Sequence, residues 1–433
     1  MSRKLVLLVS LTILFLGIWG LAFKVQRVRA SGTIYIKADG SVDPPTANIT
    51  STDNVTYILT DNIYDSIVVE RNNIVVDGAS YTVEGNESGI GIDLSERSNV
   101  TIENLKIKAF DFGIYLNHSL GNSIMGNHIT ANNFEGIRLY ESSNNSIAEN
   151  NILNNYYGTF LAMSSNNSVV RNNIEANEGG ISLDWSSDKN SITKNDITAN
   201  DWYGIWLNES LSNIIYHNNF VGNVHHVYTN SSVNVWDGGY PSGGNYWSDY
   251  NGTDLFSGPY QNMIGSDGLG DTPCAIDENN RDNYPLMGMF YDFEVIWWSE
   301  TYHVEVVSNS TVSNLWVGWV LDHWPPYLPF GQVFIQFSAE GMVNTTRFCR
   351  VTIPRAVLNG TYVVLIDYEE VPAHELPASN STQAYLYFTY KHSKQKHDVI
   401  IVPEFPTILI IPLFMLATLL PVIVYKRELI LKS

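Results

Sequence analysis

Apolar residues recur through the middle of the chain at a long fixed interval. One column runs Leu94, Leu116, Leu139, Leu161, Leu183, Leu207; a second runs Ile107, Ile129, Ile152, Ile174, Ile197, Phe220. A third runs Ile124, Ile147, Val169, Ile192, Ile215. Three residues before each leucine stands a glycine (Gly91, Gly113, Gly136, Gly158, Gly180, Gly204), which fixes the repeat at 22 to 24 residues. Three inward columns per repeat predict three short strands per repeat, each burying its row against the next copy.

The polar positions are as regular. Asparagine forms the columns Asn99, Asn122, Asn145, Asn167, Asn190, Asn213, then Asn104, Asn127, Asn150, Asn172, Asn195, Asn218, then Asn132, Asn155, Asn177, Asn200, Asn223. Asparagine tolerates left-handed backbone and suits tight bends, and stacked copies can pass amide hydrogen bonds along a ladder. A leucine-rich repeat has a compatible period, but it carries one main Asn column and a helical segment, and no apolar stretch of helical period occurs here. The pattern predicts a parallel β-helix over residues 31–235, its six regular rungs stacking to about 29 Å at about 4.8 Å per rung. Ser66–Val69 and Ile74–Val76 read as earlier, irregular rungs.

From Trp236 the repeat stops, and Gly, Asp, Asn, Tyr and Pro dominate. An open solenoid end is an unpaired edge, so residues 236–290 are expected to close it. Strand-like stretches then follow at Tyr302–Val307, Leu315–Val320, Val333–Phe337, Phe348–Ile353, Tyr362–Tyr368, Ala384–Tyr390 and Val399–Val402, predicting a small β-sandwich over 291–402.

Both ends carry uncharged apolar runs of helical character. Leu5–Phe23 follows Arg3 and Lys4, with Val28-Arg29-Ala30 spaced as a cleavage site, so residues 1–30 read as a signal peptide or a retained signal anchor. Thr407–Tyr425 is followed by Lys426 and Arg427, so 403–433 reads as a membrane anchor with everything before it outside the cell. Fourteen Asn-x-Ser/Thr triplets agree with an exported glycoprotein, though a chain with 45 asparagines produces several by chance. A net charge of −20 opposes nucleic-acid binding.

The coils resemble the NosD-like family, named for a periplasmic protein of nitrous oxide reductase maturation. Gly244-Asn245-Tyr246-Trp247-Ser248-Asp249-Tyr250, then Gly265-Ser266-Asp267-Gly268-Leu269-Gly270-Asp271-Thr272-Pro273 and Tyr284-Pro285-Leu286, are similar to that family's closing motif, with Cys274 a departure from it. The resemblance covers about residues 55 to 290 and implies a right-handed, pectin-lyase-like coil. Pro403-Glu404-Phe405-Pro406 resembles the sorting signature of archaeal surface proteins. Phe348–Pro354 and Tyr387–Tyr390 resemble a domain that precedes such tails.

The candidate chemistry is sparse. Asp249, Asp254, Asp267, Asp271, Asp277 and Asp282 are hard oxygen donors on a Gly-rich backbone, so calcium is the candidate cofactor. Copper, implied by the family name, is disfavoured: His225-His226 and Met287-Gly288-Met289 form no convincing donor set. Cys274 and Cys349 lie in different expected domains, and their pairing is open. A glycosidase needs two carboxylates about 5 to 9 Å apart. The outward columns Asp93, Tyr115, Arg138, Phe160, Ser182, Trp206 and Ser95, Asn117, Tyr140, Ala162, Asp184, Asn208 place no two on adjacent rungs. Three functions therefore stay in play: a surface rod binding glycan, polymer or other surface proteins; a β-helix lyase or hydrolase; and a metallochaperone. The first is preferred, with Tyr115, Tyr140, Phe160 and Trp206 as the binding face and the aromatic stretch Trp316, Trp319, Trp324, Pro325, Pro326, Tyr327 as the next candidate.

Overall fold

The computed structural model describes residues 32–320 and 331–404. The two terminal apolar runs expected to be helical lie outside these residues, as do Trp324, Pro325, Pro326 and Tyr327. Among the described residues every regular element is a strand, and no helix is long and apolar enough to cross a membrane.

Three mostly parallel sheets of ten, eight and nine strands wind into a solenoid of about eight turns. The three apolar columns lie in the three sheets and share one core: Leu139, Ile147 and Ile152, one from each, are all fully buried. From Ser123 on, two of the sheets have rungs three residues long, such as Ser146–Ala148 and Asn151–Leu153, and the middle residue of each points inward. The long sheet has six-residue rungs, including Glu135–Tyr140, Tyr157–Ala162, Gly179–Asp184 and Tyr203–Asn208.

The glycine column marks where the coil enters the long sheet. Its backbone angles suit any residue; what excludes a side chain is the neighbouring rung. A Cβ on Gly136 would stand 2.7 Å from the carbonyl oxygen of Gly158, and one on Gly158 would stand 2.7 Å from that of Gly180.

The Asn columns need a correction. The column residues Asn99 and Asn104 of the first regular rung are themselves left-handed, but further along the left-handed residue is the one before the ladder asparagine: Asn144, Asn166 and Lys189 in one column, Glu149, Arg171 and Lys194 in the next. The ladder asparagine itself is a hydrogen-bond relay. Asn172 Oδ1 accepts from the Asn150 backbone N–H at 2.9 Å and from Asn150 Nδ2 at 3.0 Å. Asn172 Nδ2 donates in turn to Ile147 O at 2.9 Å and to Asn195 Oδ1 at 3.0 Å. Each relay satisfies backbone groups that a bend would otherwise leave buried and unpaired.

The closing segment ends these relays with its own polar groups. Asn213 N–H reaches Asn234 Oδ1, and Asn234 N–H reaches Asn280 Oδ1. In the second ladder Asn218 N–H reaches Asn245 Oδ1, and Asn245 N–H ends on the Asp282 carboxylate at 2.7 Å. Tyr246–Trp247 pairs with Asn219–Val221 as a last strand, and Trp247 stacks on Phe220 with ring centroids 4.4 Å apart.

The described residues from Met289 to Pro403 form two five-stranded sheets packed around Val304, Phe337, Val351, Phe388 and Ile401. All seven strand-like stretches are strands, joined by Met289–Trp297, Glu369–Val371 and Ala373–Glu375. Cys274 packs against the solenoid core, Cys349 is buried in the second core, and both are free thiols. Charged groups join the two parts. Asp292 receives Arg171 Nε at 2.7 Å, Lys194 Nζ at 3.2 Å and His303 Nδ1 at 3.1 Å, while Lys194 also meets Glu305 at 2.9 Å. The buried Arg350 guanidinium donates to the carbonyl oxygens of Asp267 and Pro241 in the closing segment.

Candidate functional site

The outward face of the long sheet gathers the aromatic residues. In register, Tyr115, Arg138, Phe160, Ser182, Trp206 and Tyr228 form one row on successive rungs. Tyr115, Phe160 and Trp206 are therefore two rungs apart, as their spacing predicts. Tyr140 belongs to the next row, between Asn117 and Ala162. Its nearest ring is that of His118, with centroids 6.5 Å apart.

These rings are half-buried because they use their faces on one another. Trp206 stacks on Tyr228 with centroids 4.0 Å apart and planes 18° apart, and its indole N–H points at Asp184 Oδ1, 3.3 Å away. The Arg138 guanidinium lies between two rings, 5.1 Å from the Phe112 centroid and 5.2 Å from that of Phe160. A parallel row at the strand starts holds Phe112, Glu135, Tyr157, Gly179, Tyr203 and His225. The Tyr157 ring leans over Gly179, where a Cβ would lie 2.4 Å from it. Burial pushes the Tyr157 hydroxyl up to about 12.

Two features escape a reading confined to positions two and four beyond each glycine. The first is an outermost row: Phe134, Tyr156 and Trp202 each stand two residues before a column glycine and are 48 %, 38 % and 42 % exposed. Each leans on the row behind it: Phe134 on Phe112 at 5.6 Å, Tyr156 on Tyr157 at 5.0 Å and Trp202 on Tyr203 at 5.4 Å. The recurrence two places before Gly136, Gly158 and Gly204 was the available signal. The second feature is Glu135, 3.4 Å from Arg138. Burial raises its carboxyl, against the pull of Arg138. Its register neighbours are Phe112 and Tyr157, so no carboxylate flanks it in its own row.

The six closing-segment aspartates do not converge. Asp254 accepts the backbone N–H groups of Asp267 and Gly268 at 2.9 and 2.8 Å, and burial pushes its carboxyl up to about 7. Asp271 accepts from Thr253, Leu255 and Phe256. Asp277 binds the N–H groups of Asn279 and Asn280. Asp282 accepts from Asn245, Trp247 Nε1 and Tyr284, and burial pushes it up to about 7. Asp267 accepts from Leu269 and Gln261, while Asp249 is exposed beside His226. Among the described residues no three His, Cys, Asp or Glu side chains come together as metal donors. His225 stacks on Tyr203, whereas His226 turns to Ser248 and Asp249, so the adjacent pair is split between surroundings. These donors do not fit a copper ion.

A family model described as "Periplasmic copper-binding protein (NosD)" matches residues 46–252. A search of curated proteins finds no match. Among solved structures, the periplasmic alginate epimerase AlgG is 20 % identical with a TM-score of 0.31, over 39 % of this chain and 49 % of its own. The Dettilon tailspike protein is 12 % identical with a TM-score of 0.34, over 86 % and 85 %. A DFA-IIIase from Arthrobacter chlorophenolicus A6 is 13 % identical with a TM-score of 0.28, over 42 % and 54 %. The chain thus spans about half the length of that epimerase, and similarity at this level says nothing of substrate. With its stacked parallel rungs lying in the matched segment, the solenoid is a NosD-like parallel β-helix.

Proposed function

We propose that the protein is an exported, membrane-held solenoid that binds a surface glycan or polymer along its aromatic face without transforming it. One observation carries this reading. Two rows of rings lie side by side on one sheet, and a third row, in the bends that lead into it, stays open to solvent. Rings buttressed from behind are held rigid, and rigid exposed rings suit the apolar faces of sugars. The export part draws support from the basic-flanked apolar run at the N-terminus and from a family described as periplasmic. The anchor reading rests on the apolar run Thr407–Tyr425 with Lys426 and Arg427 behind it.

A glycan array on the purified chain tests the reading directly. Changing Phe134, Tyr156 and Trp202 together to Ser should weaken capture about a hundredfold, at about 1 kcal/mol per ring. The fold should stay intact, because none of the three enters the core. The triple change of Tyr115, Phe160 and Trp206 should weaken binding and also lower the melting temperature, since those rings are half-buried on the sheet whereas the outermost three are exposed. Capture by the first variant equal to that of the unaltered chain would remove this face from consideration.

A further inference from the structure

The sandwich has an aromatic end of its own, away from the solenoid face. Trp297 of one sheet stacks on Trp319 of the other, with centroids 5.6 Å apart and planes 21° apart, closing the mouth between the sheets. Outside this stack, Ile296 is 73 % exposed and Trp298 is 78 % exposed. Trp298 sits with Ser299 in the two-residue turn between Trp297 and Glu300, at a φ of 53°. That left-handed position favours asparagine or glycine, so a fully displayed tryptophan there costs both backbone strain and apolar exposure. Among the described residues, the ring contacts of Trp298 are the edges of Trp297 and Trp319, at 6.2 and 6.4 Å.

The same end is where the described chain finishes. Trp319 pairs with Val333, and the strand carrying Val333 runs beside Lys396–Pro403. Gln332 Nε2 donates to Pro403 O, and Glu404 N–H donates to Thr361 O. Three residues after Glu404 the sequence enters the uncharged run Thr407–Tyr425. Tryptophans concentrate at the boundary between water and lipid, where an apolar ring and a polar N–H are both satisfied.

We infer that the end of the sandwich carrying Ile296, Trp298 and Trp319 seats on the headgroup region of a lipid bilayer, beside the point where the chain enters it. The inference rests on the anchor reading above and adds a second, reversible contact to it. Glu300 and Glu404 flank the patch, so the matching surface is zwitterionic or uncharged and not anionic. Such seating fixes which way the sandwich stands on the membrane, which attachment at one point cannot do.

The test uses the full chain in phosphatidylcholine vesicles whose acyl chains are brominated close to the headgroups. An environment-sensitive fluorophore is attached after Trp298→Cys or, as reference, after Met342→Cys at the opposite end of the sandwich; the unaltered chain corrects for label on Cys274 and Cys349. The proposal expects several-fold stronger quenching at 298 than at 342, weakened when phosphatidylserine replaces part of the lipid. Flotation with the vesicles but equal quenching at both positions overturns the seating and leaves the anchor standing. Failure to float overturns both. Energy transfer between labels at 298 on separate copies, without lipid quenching, assigns the patch to a second copy and overturns the proposal.

Discussion

Thr159 shows how a single atom can break a column. It stands inward between Ile137 and Ile181, fully buried, and its hydroxyl has no hydrogen-bond partner among the described residues. Thr159→Val keeps the shape and removes the orphaned group, so chemical denaturation should show a gain of about 1 kcal/mol. Asn172→Ala should do the reverse. It strands the Asn150 N–H inside the bend and takes a donor from the Ile147 carbonyl, at a cost of roughly 3 kcal/mol. Asn173→Ala, one residue on and half-exposed, should cost well under 1 kcal/mol. Equal losses from the two asparagines would refute the relay. The columns themselves were legible, because a repeat displays its inward residues several times over. Their mechanism was not: asparagine suits both a left-handed bend and an amide relay, and only geometry separates Asn172 from the left-handed Arg171 beside it.

At the level of the rung, sequence and structure agree where burial is repeated and diverge where it is not. Leu139 and Leu161 are completely enclosed, so aspartate at either should abolish cooperative melting, whereas Tyr140→Asp on the same strand should not. Gly158→Ala should cost roughly 2 kcal/mol although its backbone is unstrained, because the carbonyl of Gly180 already occupies the space. The closing segment has no second copy against which to compare it, and its aspartates looked like cation ligands for that reason. In the structure Asp282 holds the Asn245 N–H and the Trp247 indole where one relay ends, Asp277 holds Asn280 where another ends, and Asp254 and Asp271 hold backbone N–H groups within the closing segment itself. Asp282→Ala should lower the melting temperature by the same amount in calcium and in chelator; a loss seen in calcium alone would restore the ion. The outermost aromatic row was written two places before the glycines, yet a strand's alternation counted forward from each glycine never reaches it.

Across the whole molecule, the sandwich is held to the solenoid by charge placed at bends. Arg171 and Lys194 occupy left-handed positions in successive turns, which aims both at Asp292, with Lys194 also reaching Glu305. The Asp292 side chain is 4 % exposed. Burial alone would raise its carboxyl, but Lys194, Arg171 and His303 together hold it below its ordinary value. The sign follows from that direction. A carboxyl depressed on folding contributes stability above its unfolded value of about 4, and that contribution is lost as pH falls through the lower folded value. Asp292→Ala leaves two cations facing a partly dry surface, and should cost about 2 kcal/mol at neutral pH, discounted from a fully buried pair because Arg171 and Lys194 still reach water. Calorimetry of the unaltered chain should show one transition at pH 7 and begin to separate solenoid from sandwich below about pH 4. The variant should show the separation already at pH 7 and change less on acidification. Identical profiles for the two proteins would mean that the Phe290 contacts with Asn219 and His217, and the Arg350 bonds to the closing segment, suffice to hold the parts together.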